Sequence, residues 1–369
     1  MPASFVHLRL HTEYSLVDGL VRIKPLVKTL VGMNMPAVAV TDQNNMCSLV
    51  KFYKNAMGAG IKPICGADLW LSNKDPDNAL SRISFLAMNA VGYRNLTELI
   101  SRGFIDGQRN GQIIIEREWV AEANEGLIML SAAKEGEIGM ALLGGNPDEA
   151  ETLAREWMAV FPDRFYLEIQ RTNRPNDEEQ LHAAVALADK IGAPLVATND
   201  VRFLKQEDFA AHETRVCIGE GRALDDPRRS KNYSDQQYLK SAEEMLELFS
   251  DLPDAVQNTV EIAKRCNIDV TTGNQLGEVA ITQRVHRQQA DTAEGVFRVL
   301  VRQPQVCATD RLDPAAHRRL VELDQGAHVV LISHRDGRHI HAGQGLDQRF
   351  DPHQAIDQGV FSVQAQVNE

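Results

Sequence analysis

The sequence predicts an α/β protein: a distorted parallel β/α barrel over residues 1–270, followed by a tail of different character over 271–369. Three observations carry this. Short apolar runs alternate with amphipathic segments throughout the first 270 residues, polar residues collect just after the runs, and residue usage changes abruptly near Thr271. Strand, helix, strand, helix over such a length calls for parallel strands joined by crossover helices. In a barrel of that kind the strand ends share one mouth, where sites are built. A doubly wound open sheet ranks second, because no Gly-rich nucleotide fingerprint follows the first strand.

Taken in order, "HLRLH" (7–11) reads as a strand in which Arg9 stands between His7 and His11. "PAVAVTD" (36–42) is a short buried strand ending in polar residues, and "GLIMLSA" (126–132), "FYLEIQ" (165–170) and "APLVATND" (193–200) repeat that shape. Between them, "NPDEAETLAREWM" has Asn146 as N-cap, Pro147 at the first helical position and an apolar face of Ala150, Leu153, Ala154, Trp157 and Met158. "DEEQLHAAVALADKIG" puts Leu181, Ala184, Val185, Ala188 and Ile191 on one face, and Gly192 ends it. "GAG" (58–60) is a helix stop rather than a phosphate loop, and Trp70, Trp119 and Trp157 are expected in the core. His11, Asp42, Asp68 and Asp200 follow strands and so point to the mouth. Their bland reading is turn and cap duty, above all for Asp42, and His7 reads as an ordinary satisfied histidine.

The last 99 residues contain no Lys, Tyr, Trp or Met and hold seven of the eleven histidines. "AHVVLIS" (327–333) is their one good strand candidate. Two readings stay open: a small β-rich domain, or a stretch with the composition of GC-rich coding sequence read out of frame. Either way the expected cooperative fold ends near Val270. The spacing of His334, His339 and His341 suits a metal, but local composition accounts for it.

Composition excludes several classes. With 51 acidic against 39 basic residues the net charge is −12, which disfavours holding nucleic acid through phosphate neutralisation. "DDPRRSKNYS" (225–234) is read as a solvated loop. The cysteines at 47, 65, 217, 266 and 307 are odd in number, scattered and without a CxxC pair, which fits a reducing cytoplasm. No apolar run approaches a membrane span.

Seven blocks in order carry a resemblance: "FVHLRLHTEYSLVDGL", "AVTDQNN", "VKFYKNAMGAGIKPICGAD", "VGYRNLTELIS", "FPDRFYLEIQRTNRP", "VATNDVRFL" and "NYSDQQYLKSAEEM". Residues 3–270 resemble the amino-terminal region of bacterial DNA polymerase III alpha subunits, a PHP (polymerase and histidinol phosphatase) domain, and the resemblance stops there. It implies a PHP-type barrel whose cleft, in active members, holds divalent metals that polarise phosphate and activate water. Set on this sequence, the His-x-His motif becomes Arg9 and His11, and His7 is not a substitute in that pattern. Asp-His becomes Asp42 and Gln43, a Glu becomes Asp68, and Asp-x-His ends in Arg202 after Asp200. Arg82, Ala133 and Thr172 fall where ligands would stand.

Guanidinium has no lone pair for a metal and stays protonated. The resemblance therefore implies a vestigial site of Arg9, His11, Asp42, Gln43, Asp68, Asp200 and Arg202. No metal or other cofactor is expected in this chain; magnesium belongs to the polymerase core of the parent family. Arg9 is expected to act as a fixed cation among Asp42, Asp68 and Asp200. The implied role is the amino-terminal part of a DNA-directed DNA polymerase, a nucleotidyltransferase, whose PHP domain is structural and docks the proofreading exonuclease subunit. Other replisome subunits, and DNA, would be met only through the rest of the parent protein. Beyond residue 270 no Asp-x-Asp palm motif occurs, so this chain alone is not expected to polymerise. The alternatives are an active metal-dependent phosphoesterase or nuclease and a free-standing binding module.

Overall fold

A computed structural model describes residues 4–73, 80–109, 111–229 and 231–270 of a first unit, Met1–Val270, and two short strands of a second, Thr271–Glu369. "AHVVLIS", Cys307 and the three tail histidines lie outside the described residues. The described strands of the second unit, Glu278–Ile281 and Phe297–Leu300, pair antiparallel.

In the first unit the elements run α1 (Ile23–Gly32), β1 (Ala37–Val40), α2 (Leu49–Gly58), β2 (Lys62–Leu71), β3 (Ser81–Ala87), α3 (Ala90–Asp106), β4 (Gln108–Arg109), β5 (Gln112–Ile115), α4 (Arg117–Glu122), β6 (Leu127–Leu130), α5 (Glu137–Leu143), α6 (Pro147–Val160), β7 (Phe165–Gln170), α7 (Asp177–Ile191), β8 (Leu195–Thr198), α8 (Phe209–Glu220), α9 (Ala242–Leu248) and α10 (Pro253–Arg265). The periodicity argument holds for α6, with Asn146 and Pro147 at its start and Ala150, Leu153, Ala154 and Trp157 buried; Met158 is only half-buried. It holds for α7, where Gly192 closes the helix at φ 71°; Leu187 joins the buried face while Val185 is half-buried.

β1 pairs parallel with β2, β6 with β7, and β7 with β8. The N-terminal segment closes the ring: His7 bridges Val38 of β1, and Leu10 bridges Val201 just after β8, all parallel. Two pairings depart from the expected parallel pattern: the two-residue β4 turns back antiparallel on β5, and β3 runs antiparallel to both β2 and β6. The reason is chain length. Nine residues separate β2 from β3, and a parallel return needs a crossover of a dozen or more.

Inside the ring, Leu8, Ala39, Ile64, Leu86, Leu130 and Val196 converge on Val260 and Ile262 of α10 in one apolar cluster. Val6 donates its backbone N–H to Thr259 Oγ1 of α10 at 3.1 Å. Two further apolar clusters lie between the strands and the helices. Of the three tryptophans only Trp157 is fully buried. Trp70 and Trp119 are half-buried, each under a guanidinium, Arg82 at 4.6 Å and Arg102 at 4.4 Å from the ring centre. An amphipathic ring with a cation above it need not be sealed from water. No described helix is long and apolar enough to cross a membrane.

Candidate functional site

The site is built where the N-terminal segment meets the ends of β2, β7 and β8. Arg9 is fully buried there and faces four carboxylates. Its Nε donates to Asp68 Oδ2 at 2.8 Å and lies 3.4 Å from Asp200 Oδ1. Nη1 donates to Glu168 Oε1 and Nη2 to Glu135 Oε2, both at 3.3 Å. Two residues on, His11 Nε2 lies 2.8 Å from Asp68 Oδ2 and Nδ1 3.0 Å from Asp18 Oδ1. Arg202 donates from Nη1 to Asp18 Oδ2 at 2.6 Å and from Nη2 to Asp200 Oδ1 at 2.7 Å. Arg82 reaches Asp18 at 3.3 Å and Glu135 at 3.2 Å. Arg174 completes the set through Glu135, at 2.9 Å.

The charges balance. Arg9, Arg82, Arg174, Arg202 and a protonated His11 make five cations against Asp18, Asp68, Asp200, Glu135 and Glu168. Burial opposes charge on Arg9, Arg82, Arg202, His11 and the five carboxylates, and the neighbours override it for most. Despite burial, Asp68, Asp200, Glu168 and Glu135 hold the Arg9 pKa well above its ordinary value. Arg9 and His11 hold Asp68 well below the usual carboxylate range. Arg202 does the same, with His11, for Asp18 and, with Arg9 and Arg174, for Asp200. Arg82 and Arg174 bring Glu135 down to about 2. Burial and Arg202 oppose a proton on His11, but Asp18 and Asp68 outweigh them and its pKa rises. Arg202 Nη1 also approaches His11 Nδ1 closely. That nitrogen cannot both accept from Arg202 and donate to Asp18. A protonated ring satisfies both carboxylates, and Arg202 then has its partner in Asp18. Glu168 is the exception: burial prevails over Arg9 and raises its pKa, and its Oε2 has no hydrogen-bond partner.

Backbone strain is concentrated around the same end. Asp200 adopts φ 47°, a left-handed conformation that costs a non-glycine residue about 1–2 kcal/mol. Arg202 and Gln237, which donates to Asp200 Oδ2 at 2.8 Å, pin its carboxylate. Ala132 and Ala133, after β6, are left-handed too.

Of the residues singled out from sequence, Arg9, His11, Asp68, Asp200 and Arg202 come together, and so does Arg82. Asp42 does not. It accepts from the Thr12 backbone N–H at 2.6 Å and from the hydroxyls of Thr12, Ser15 and Ser48 at 2.6–2.9 Å, so neutral donors satisfy it without a cation. Gln43 sits at the edge, its Nε2 on the Asp68 carbonyl at 3.1 Å. Thr172 is engaged with Asp177. His7 lies apart, with Nε2–H on the Lys240 carbonyl at 2.8 Å. Asp18, Glu135, Glu168 and Arg174 were missed. The signal for them was charge: three arginines placed at buried strand ends demand more carboxylates than Asp68 and Asp200.

His11, Asp68 and Asp200 each offer one ligand atom, and these lie within 4.8 Å of one another. Residues 7–172 match the family model for the PHP domain. Over those residues the first unit is similar to PHP domains. A DNA polymerase III subunit alpha from Pseudomonas fluorescens is 92% identical over 273 residues, 74% of this chain and 23% of that protein. One from Escherichia coli K12 is 52% identical over 269 residues, 73% of this chain and 23% of that protein. One from Vibrio cholerae is 46% identical over 327 residues, 87% of this chain and 28% of that protein. Residues 1–270 are 73% of the chain, so the first two alignments cover the share of the chain that the sequence resemblance was expected to cover, and the Vibrio cholerae alignment is longer. The chain spans about a quarter of the length of these relatives.

Proposed function

We propose that this PHP domain is a metal-free structural domain of a replicative DNA polymerase III alpha subunit, in which buried guanidiniums supply the positive charge that metals supply in active relatives. One observation carries the reading: Arg9 Nε lies 2.8 Å from Asp68 and 3.4 Å from Asp200, so it stands among the atoms that would have to ligate an ion. His11 is committed to Asp68 and Asp18 as well. The donor set therefore does not fit a multinuclear metal cluster, whose ligands must be free to converge on the ion. Elemental analysis of the full chain is expected to find no more than traces of zinc, manganese or iron. Two or more equivalents of tightly bound metal would overturn the reading.

By its likeness to DNA polymerase III alpha subunits, the domain works in cytoplasmic DNA replication and docks the proofreading exonuclease subunit through surfaces outside the cluster. The excess of acidic over basic residues supports a protein partner rather than DNA. Titration calorimetry of the full chain against its cognate exonuclease subunit tests this; saturable binding is expected, and its absence removes the docking role. The second reading, a metal-dependent phosphoesterase, rests on the His11, Asp68 and Asp200 triad. Phosphodiester hydrolysis that chelators abolish would favour it.

A further inference from the structure

Seven of the eleven described lysines donate to a carboxylate, a carbonyl or an amide oxygen, from Lys51 on Glu13 to Lys264 on Glu261. Of the four with no such partner among the described residues, three line a single groove. Lys24 and Lys28 of α1 and Lys54 of α2 flank a depression of about 530 Å³ between the two helices. Val27 and Val31 line it, and among the described residues no acidic one does. At Gly58 the groove is open: a Cβ there would meet nothing within 4 Å. Lys24 and Lys28 stand one turn apart on the same face, about 6 Å along the axis. Unpaired basic side chains are thus gathered round an aliphatic strip on a domain with 39 acidic and 29 basic residues in 1–270.

We propose that the groove between α1 and α2 is a docking site for an acidic, amphipathic segment of a partner protein. Aliphatic side chains of that segment would cover Val27 and Val31, and its carboxylates would pair with Lys24, Lys28 and Lys54. The charge is complementary to such a segment, and the other described lysines of the first unit but one are already engaged. Nucleic acid suits the groove less well. Among the described residues no aromatic ring lines it for base stacking.

The test uses the full chain and fluorescence anisotropy. The probe is a fluorescein-labelled twelve-residue peptide of four Glu-Leu-Asp repeats, beside a Gln-Leu-Asn peptide and a twelve-nucleotide oligothymidine. The acidic peptide is expected to bind saturably and to weaken as salt rises. Charge reversal, K24E/K28E/K54E, should weaken it by about tenfold or more, while K24R/K28R/K54R retains it. Gly58→Leu fills the groove without changing charge and should weaken it as well. That variant carries the test if charge reversal disturbs the fold, which melting curves will show. The proposal is overturned if the acidic peptide does not bind, if the Gln-Leu-Asn peptide binds equally, or if neither charge reversal nor Gly58→Leu matters. Oligothymidine binding as tightly, with the same sensitivity to the variants, would make the groove a nucleic-acid face instead.

Discussion

His7 and His11 lie four residues apart on one segment, both fully buried, and their surroundings push them in opposite directions. His7 has a backbone carbonyl for a partner and the edge of Phe5 beside it, with ring centres 4.8 Å apart. Burial there lowers its pKa to about 4. His11 is buried as deeply, yet Asp18 and Asp68 raise its pKa. Burial alone therefore decides nothing about charge at this end of the barrel. Where carboxylates converge, the interior holds cations; four residues away, where the ring's hydrogen bond goes to a backbone carbonyl and Lys240 stands nearby, it excludes them.

The comparison breaks most visibly at Arg9. Removing one member of a buried ion pair typically costs ~3–5 kcal/mol, because its partners keep their desolvation penalty and lose their counter-charge. Arg9→Ala leaves Asp68, Asp200 and Glu168 facing one another and is expected to lower the melting temperature by about 10 °C. Melting within a degree or two of the parent would mean that water or another cation replaces the guanidinium, and the fixed-cation account would fail.

The next effect separates the histidines by pH. For His7 the folded pKa of about 4 lies below the unfolded value of 6.5. The unfolded chain therefore takes up a proton that the folded one refuses, and stability is lost as pH falls through that window, by about 3 kcal/mol at its end. His7→Gln keeps a donor for the Lys240 carbonyl and should flatten the urea-denaturation midpoint between pH 6.5 and 4.5. Glu135 adds its own loss lower down, between its ordinary value of 4.5 and about 2. A His7→Gln midpoint that falls as steeply as the parent's would place the titrating group elsewhere.

His11 works in the other sense. Its folded pKa is raised, so its contribution is complete below pH 6.5 and is lost as pH rises through the folded value. Glu168, also raised, adds to the loss with rising pH, starting from about 4.5. Imidazole resonances followed by NMR should show His11 retaining its proton to a higher pH than His7 does. A neutral His11 at pH 6 would mean that Arg202, not Asp18 and Asp68, governs the ring.

Much of this end was legible in the sequence because strand alternation and the strand-end rule act locally. His11, Asp68 and Asp200 follow from where the apolar runs stop, whereas Arg9 and Arg202 were placed in the site by the resemblance to PHP domains. Asp18 and Arg174 could not be placed in that way, since they come from loops and meet partners far along the chain: Arg202 is 184 residues from Asp18. Asp42 misled for the opposite reason. It also follows a strand, but the hydroxyls that satisfy it come from Thr12, Ser15 and Ser48, whose convergence no periodicity reveals. The direction of β3 was legible in principle, for the short span after β2 leaves no room for a crossover helix. Apolar content alone reads the same for either direction.

The smallest expected effect is at Arg155, and it tests whether burial or the number of contacts sets the penalty. Arg155 on α6 is an ion-pair residue too: its Nη2 lies 2.8 Å from Glu151, which Lys190 also reaches at 2.5 Å. On contacts alone this triad resembles part of the Arg9 cluster. Its members, however, are open to solvent, with Arg155 54% exposed and Lys190 59% exposed. Water already screens the pair, and Glu151 keeps Lys190 when Arg155 is gone. Arg155→Ala should leave the melting temperature within about 1 °C of the parent, at low salt and at high. If it instead approached the loss expected for Arg9→Ala, ion-pair number would matter more than desolvation, and the contrast between the buried and exposed clusters would have to be given up.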